Sequence, residues 1–202
     1  MTSSYDIFKK ILEDTNNTRV IYTHLKEVIR PPYDYTDLLR WQWAQAVSSL
    51  DKLVHDLVRV GMLEIFIGRR PTTSKFMTFT IGIDSHLQII QNSTNAVSII
   101  EKLIIQKHGF LSFQDPDKIS EALSYIWDEK HKWQKIAQRL NLDESYVKTQ
   151  LKNISIRRNQ IVHEGDYSSN LLDRQPLSEN DVNEVLFFID SLGLAIYELV
   201  KI

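Results

Sequence analysis

The sequence predicts an all-α fold, a single helical bundle, on three observations. Apolar residues recur at helical spacing through almost every segment. Gly and Pro are scarce, 6 and 5 among 202 residues, so long irregular linkers are not expected. Strand character is confined to one stretch, KFMTFTIGI, and one short strand cannot build a sheet alone.

The first helix is expected over Ser4 to Asp14, from Ile7, Phe8, Ile11 and Leu12, with a break at Asn16-Asn17. A second runs from about Thr18 to Ile29 and stops at Pro31-Pro32, since proline lacks an amide donor and disfavours helix in the residue before it. The longest element is expected from Thr36 to about Phe66. It has no Pro and one Gly, and Leu39, Trp43, Ala46, Val47, Leu50, Val54, Leu57, Val58 and Met62 give it a broad apolar face. Arg69-Arg70-Pro71 ends it. Thr72 to Ile83 reads as an extended segment packed on helices, followed by a short helix near His86 to Gln91.

Asn92-Ser93-Thr94 offers a cap for a helix from Ala96 to Lys107, with Gly109 as its stop. Asp115-Pro116-Asp117 starts the next helix, with Pro near the first helical position. A further helix covers roughly Trp133 to Leu140, and Asp143 caps the one that follows, which ends near Gly165. A polar loop, Tyr167 to Leu177, leads to the last helix, opened by a Ser178-x-x-Asp181 capping box.

Composition narrows the function classes. The chain lacks cysteine, which excludes disulfides, thiol catalysis and Cys-based zinc sites. The start, MTSSYDIFKK, has no signal-peptide character, and no stretch approaches the roughly 18 apolar residues that span a bilayer. A cytoplasmic protein without membrane partners is the expectation. With a net charge of −2, a nucleic-acid partner would require a local basic patch.

The stretch richest in chemistry is Ile156 to Asp166, IRRNQIVHEGD. Arg158 and His163 differ by about 140° on an ideal helix, so they would not share a face in mid-helix. Gly165 marks a helix end just past His163, where a last turn can bring His toward a long Arg. Arg grips a phosphoryl group with two donors, and His serves as general acid or base near neutral pH. RNA supplies its own nucleophile, the ribose 2′-OH. Cleavage then needs a base, an acid and a cation, and neither metal nor cofactor. Arg157, Lys148 and Lys152 recur near Arg158 along the same helix and form a candidate RNA-binding patch. Asp51 and His55, four apart on the long helix, are candidate supporting residues or a simple surface pair.

Arg158-Asn159-x-x-x-His163 resembles the RNxxxH form of the Rx4–6H motif of the HEPN superfamily. RRNQIVHEGD is similar to the motif helix of its RiboL-PSP-type branch, and WQWAQAVSSLDKLVHDLV to that branch's long first core helix. FQDPDKISEAL and WQKIAQRL resemble it as well. The resemblance covers roughly residues 36–202, leaving 1–35 as an N-terminal helical extension. It implies a HEPN-like bundle of about four or five helices and a homodimer in which two motifs form one composite cleft. It also implies metal-independent endoribonuclease activity in a defence, toxin–antitoxin or stress setting, under an antitoxin or effector-complex partner. Arg158 would stabilise the scissile phosphate, His163 would act as general acid/base, and Asn159 would orient the phosphate or the motif helix. A polar residue from the long core helix would stand near the site, and either Asp51 or His55 matches.

Two other readings use the same text. Some HEPN domains with an intact-looking motif serve as interaction or RNA-binding modules. WQKIAQRLNLDESYV also reads as a helix-turn-helix of a DNA-binding regulator, against which stands the acidic start of its second helix, DESYVKTQL, which phosphates repel.

Overall fold

The computed structural model describes residues 1–167 and 173–201. Residues 168–172 of the expected polar loop lie outside the described residues. Among those described the fold is all-α, with helices α1 (Thr2–Asn17), α2 (Arg19–His24), α3 (Asp37–Phe66), α4 (Ile83–Gln91), α5 (Ala96–His108), α6 (Pro116–Leu123), α7 (Lys132–Leu140), α8 (Glu144–Glu164) and α9 (Glu179–Val200). No helix among the described residues is long and apolar enough to cross a membrane.

Helix α3 is the axis of the bundle. Val47, Leu50, Leu53, Val54, Leu57 and Val58 on it have no exposed surface. Around them pack Ile189, Leu192 and Ile196 of α9, Val147, Leu151 and Ile154 of α8, and Ile119 and Leu123 of α6. Each fully buried aliphatic side chain contributes about 1.5–3 kcal/mol, so this one helix organises most of the apolar stabilisation. Phe8 and Leu12 of α1 belong to the same core. Gly193 of α9 makes room for Phe8, because a Cβ there would stand 2.4 Å from the ring.

The helix ends follow their local chemistry. Asp115, Asp143 and Ser178 each accept an amide hydrogen bond at the start of α6, α8 and α9, and Ser178 with Asp181 closes a full capping box. Helix α2 continues into a π-helical turn, Leu25–Ile29, and Arg30 in the left-handed region stops it before Pro31-Pro32. Gly165, with φ 63°, ends α8.

Two local expectations are corrected. The strand-like stretch contains a 3-10 turn, Phe76–Thr78, and α4 begins already at Ile83. With no partner strand among the described residues to complete a ladder, Phe76 and Phe79 pack against the helical core, as expected. The Asn92-Ser93-Thr94 cap does not form. A 3-10 turn, Ser93–Asn95, runs straight into α5 without a side-chain cap.

The helix-turn-helix corner exists in outline, since Asn141 is left-handed between α7 and α8. Helix α8 then continues for 21 residues and buries Val147, Leu151 and Ile154 in the core. That is bundle packing, with the second helix fixed by its apolar face.

Candidate functional site

The site forms where the last turns of α8 meet the loop between α5 and α6. That loop, residues 109–115, is gripped from two sides. From α3, Asp51 accepts a hydrogen bond from the Phe113 backbone amide, and the His55 ring nitrogen meets the Leu111 carbonyl at 3.2 Å. The His55 ring also packs on Phe113, with centroids 4.3 Å apart. From α8, buried Ser155 donates its hydroxyl to the Gln114 carbonyl at 2.7 Å. The loop is thereby held at a fixed distance from the motif helix.

Between them lies an open pocket of about 380 Å³. Arg158, Asn159, His163 and Lys152 line it from α8, and Ser112, Gln114, Asp115 and Lys118 from the opposite wall. His163 is still helical, one residue short of the helix end, and exposed. Arg158 reaches the same pocket from the preceding turn by its length, and its Nη1 donates to Asn159 Oδ1 at 3.1 Å. Among the described residues no carboxylate lies within ion-pair distance of Arg158, Lys118 or Lys152. The lining thus carries three permanent cations against the single carboxylate of Asp115, which is engaged in capping α6. Positive charge at the C-terminal end of α8 is also favoured by the helix dipole.

The remaining sequence candidates stand elsewhere. Arg157 turns away from the pocket. Its guanidinium binds Asp166 Oδ2 at 2.9 Å and also contacts Gln175. Asp166 is wholly buried and takes a second guanidinium, from Arg40, at 2.8 Å on the same oxygen. Lys148 lies a turn further back on α8, 3.9 Å from Asp117. Asp51 and His55 are 3.9 Å apart and act on the loop behind the pocket, without lining it.

Several residues were not singled out from sequence. Ser112 and Gln114 reach the site through the path of the loop, and Lys118 from the first turn of α6. Arg40 and Asp166 had one legible signal, an Asp directly after the helix-ending Gly165. Among the described residues no group of three or more His, Asp or Glu is placed to hold a metal ion.

No curated protein and no solved structure matches the chain significantly. The model of one family, RiboL-PSP-HEPN, matches residues 5–201, a span that includes α1 as well as the helices expected to carry the resemblance. With the motif helix, the long central helix and nearly the whole chain inside that match, the protein belongs to the RiboL-PSP-HEPN family.

Proposed function

We propose that the protein is a metal-independent endoribonuclease whose Arg158 and His163, contributed by two protomers, form a composite site. The observation that carries this reading is the convergence of Arg158, Asn159, His163 and Lys152 on one open, cationic pocket.

The chemistry follows from these groups. A base removes the proton of the ribose 2′-OH, and the oxygen attacks the adjacent phosphorus. The P–O5′ bond breaks, and an acid protonates the departing 5′-oxygen. The products are a 2′,3′-cyclic phosphate and a 5′-hydroxyl. One His163 acts as base and the partner's His163 as acid, while Arg158 neutralises the charge gathering on the phosphoryl oxygens. Lys152 and Lys118 hold the flanking backbone. Ile156 and Val162, each 48% exposed on α8, give a second copy an apolar surface to cover.

The test is incubation of the protein with a mixed RNA pool in EDTA, beside folded Arg158→Ala and His163→Ala variants. Cleavage by the parent alone, leaving cyclic phosphate ends, is the expected result, with each variant reduced by about 100-fold or more. Absence of cleavage at high protein concentration favours an interaction module that presents the same α8 surface to another protein. A monomer by light scattering, at concentrations where cleavage is measured, overturns the composite site. A role in defence or a toxin–antitoxin pair is part of the proposal, tested by whether expression of the parent, and not of His163→Ala, arrests growth.

A further inference from the structure

Next to the Arg158 pocket lies a second cavity, of about 570 Å³, that the cleavage chemistry does not use. Ser112 and Lys118 stand in the walls of both, so the two are adjacent. Its size is that of a small-molecule site. Its lining differs from the first in being aromatic: Phe79, Phe110, Phe113 and Tyr125. Phe110 is 80% exposed, on the loop that Asp51 and Ser155 hold in place. His108 stands at the base, buried, with the rings of Phe79, Phe113 and Tyr125 at 5.9, 6.3 and 5.1 Å. The rim carries Lys107, whose ammonium lies 5.3 Å from the centre of the Phe79 ring and bonds the Thr80 hydroxyl at 3.1 Å.

We infer that this cavity takes an unpaired nucleobase of the RNA strand, from a nucleotide flanking the phosphate held at Arg158. A base is flat, apolar on its faces and polar at its edges. It stacks on an exposed ring, and Lys107 and Lys118 serve the phosphates on either side. An amino-acid side chain of a partner would fill the aromatic floor but would bring no phosphates to the two lysines, and the carboxylate in the lining, Glu121, is already paired with Lys75 at 2.9 Å. A base inside a duplex cannot enter, so the cavity selects single-stranded RNA. This also gives a use to the segment 72–83: its turn sets Phe79 and Thr80 as one wall. The inference rests on the ribonuclease reading for the identity of the ligand.

The experiment uses full-length His163→Ala protein, which binds without cutting, and a labelled single-stranded RNA octamer read by fluorescence anisotropy. The octamer is compared with versions carrying one abasic site at each position in turn. One or two positions are expected to lose affinity by about tenfold. In His163→Ala/Phe110→Ala the intact octamer binds about tenfold more weakly and the abasic sites cost nothing further, while Phe110→Trp restores both. RNA bound with the same affinity and the same abasic profile in the presence and absence of the Phe110 ring overturns the base pocket and leaves the nuclease reading standing. No binding of any RNA by the parent protein removes the ligand, and the nuclease reading and the pocket fall together.

Discussion

Arg40 donates its Nε to Asp166 Oδ2 at 2.8 Å, joining the first turn of α3 to the residue that follows the end of α8. Arg157 shares the same oxygen at 2.9 Å, and the side chains of Arg40 and Asp166 are 6% and 0% exposed. The carboxylate pins the C-terminal end of the motif helix to the central helix. Gly165 and Asp166 are both left-handed, with φ of 63° and 65°, so the chain turns back sharply enough for Asp166 to point inward. The amide of Asp166 returns to the Gln160 carbonyl at 3.0 Å, closing the turn.

Removing that charge should be costly and separable from the backbone effect. Asp166→Asn keeps a residue that tolerates a left-handed conformation but takes the carboxylate from Arg157 and leaves Arg40 only its longer contacts to Asp34 and Asp37 at 3.9 and 4.0 Å, at a cost of about 3 kcal/mol. Asp166→Ala adds about 1–2 kcal/mol of backbone strain. Urea denaturation of the three proteins measures both terms. An Asn variant as stable as the parent would show that the carboxylate charge does not hold this corner.

Asp51 is expected to act as a positioning residue, through the Phe113 amide. Asp51→Asn retains an acceptor and should keep most of the cleavage rate. Asp51→Ala releases the loop and should lose about 10- to 100-fold, in line with the net worth of about 1.5–3 kcal/mol for a hydrogen bond to a charged group. Amide hydrogen exchange adds a readout that needs no activity: Phe113 should lose protection in the Ala variant alone. If Asp51→Asn is as inactive as His163→Ala, the carboxylate takes part in proton transfer.

His108 makes stability depend on pH. Burial, aided by the neighbouring His55 and Lys107, pulls its pKa below the ordinary histidine value. In the unfolded chain His108 titrates at about 6.5. The folded state therefore binds the proton more weakly than the unfolded state. This contribution is complete above about pH 6.5 and is lost as pH falls from there toward the folded pKa. Thermal unfolding should give a lower Tm at pH 5.5 than at pH 7.5, with a smaller difference in His108→Phe. An equal difference in both proteins would assign the pH effect to other groups.

Gly193→Ala should destabilise despite improving helix propensity by about 1 kcal/mol. The new Cβ would meet the Phe8 ring at 2.4 and 2.5 Å and Leu53 at 3.2 Å. Phe8 is 1% exposed in the core, so either its ring or α1 must shift. Overpacking of this kind costs about 1–3 kcal/mol; a clash this short belongs at the upper end, so the net loss should approach about 2 kcal/mol by chemical denaturation. Phe8→Leu in the same chain should recover part of it, which a cause unrelated to α1 packing would not allow.

Much of the fold was legible because its elements are long and each carries local signals. The face of α3, the Asp115-Pro116 and Asp143 starts, the Ser178–Asp181 box and the Gly165 stop all act within a few residues of themselves. The strand-like stretch reads as an extended segment packed on helices, since β-branched and aromatic residues specify a strand only when another strand is near; the 3-10 turn within it carries no local signal. Here Phe76 and Phe79 found helices. Within the site, RNQIVH pointed to Arg158 and His163, while Arg157, the residue just before that motif, is drawn to Asp166. Nothing in its immediate sequence distinguishes an arginine facing a pocket from one facing a buried carboxylate.

The sequence by itself determined most of the helices, the caps at Asp115, Asp143 and Ser178, and the residues proposed to bind and cleave a phosphodiester, because propensity, capping and side-chain chemistry are local properties. The tertiary structure decided which of those residues meet. Asp51 reaches Phe113 across 62 positions, Ser155 reaches Gln114 across 41 and Arg40 reaches Asp166 across 126. Such pairings are set by how the helices pack about α3. They depend on every buried side chain at once, and no stretch of the chain carries them alone.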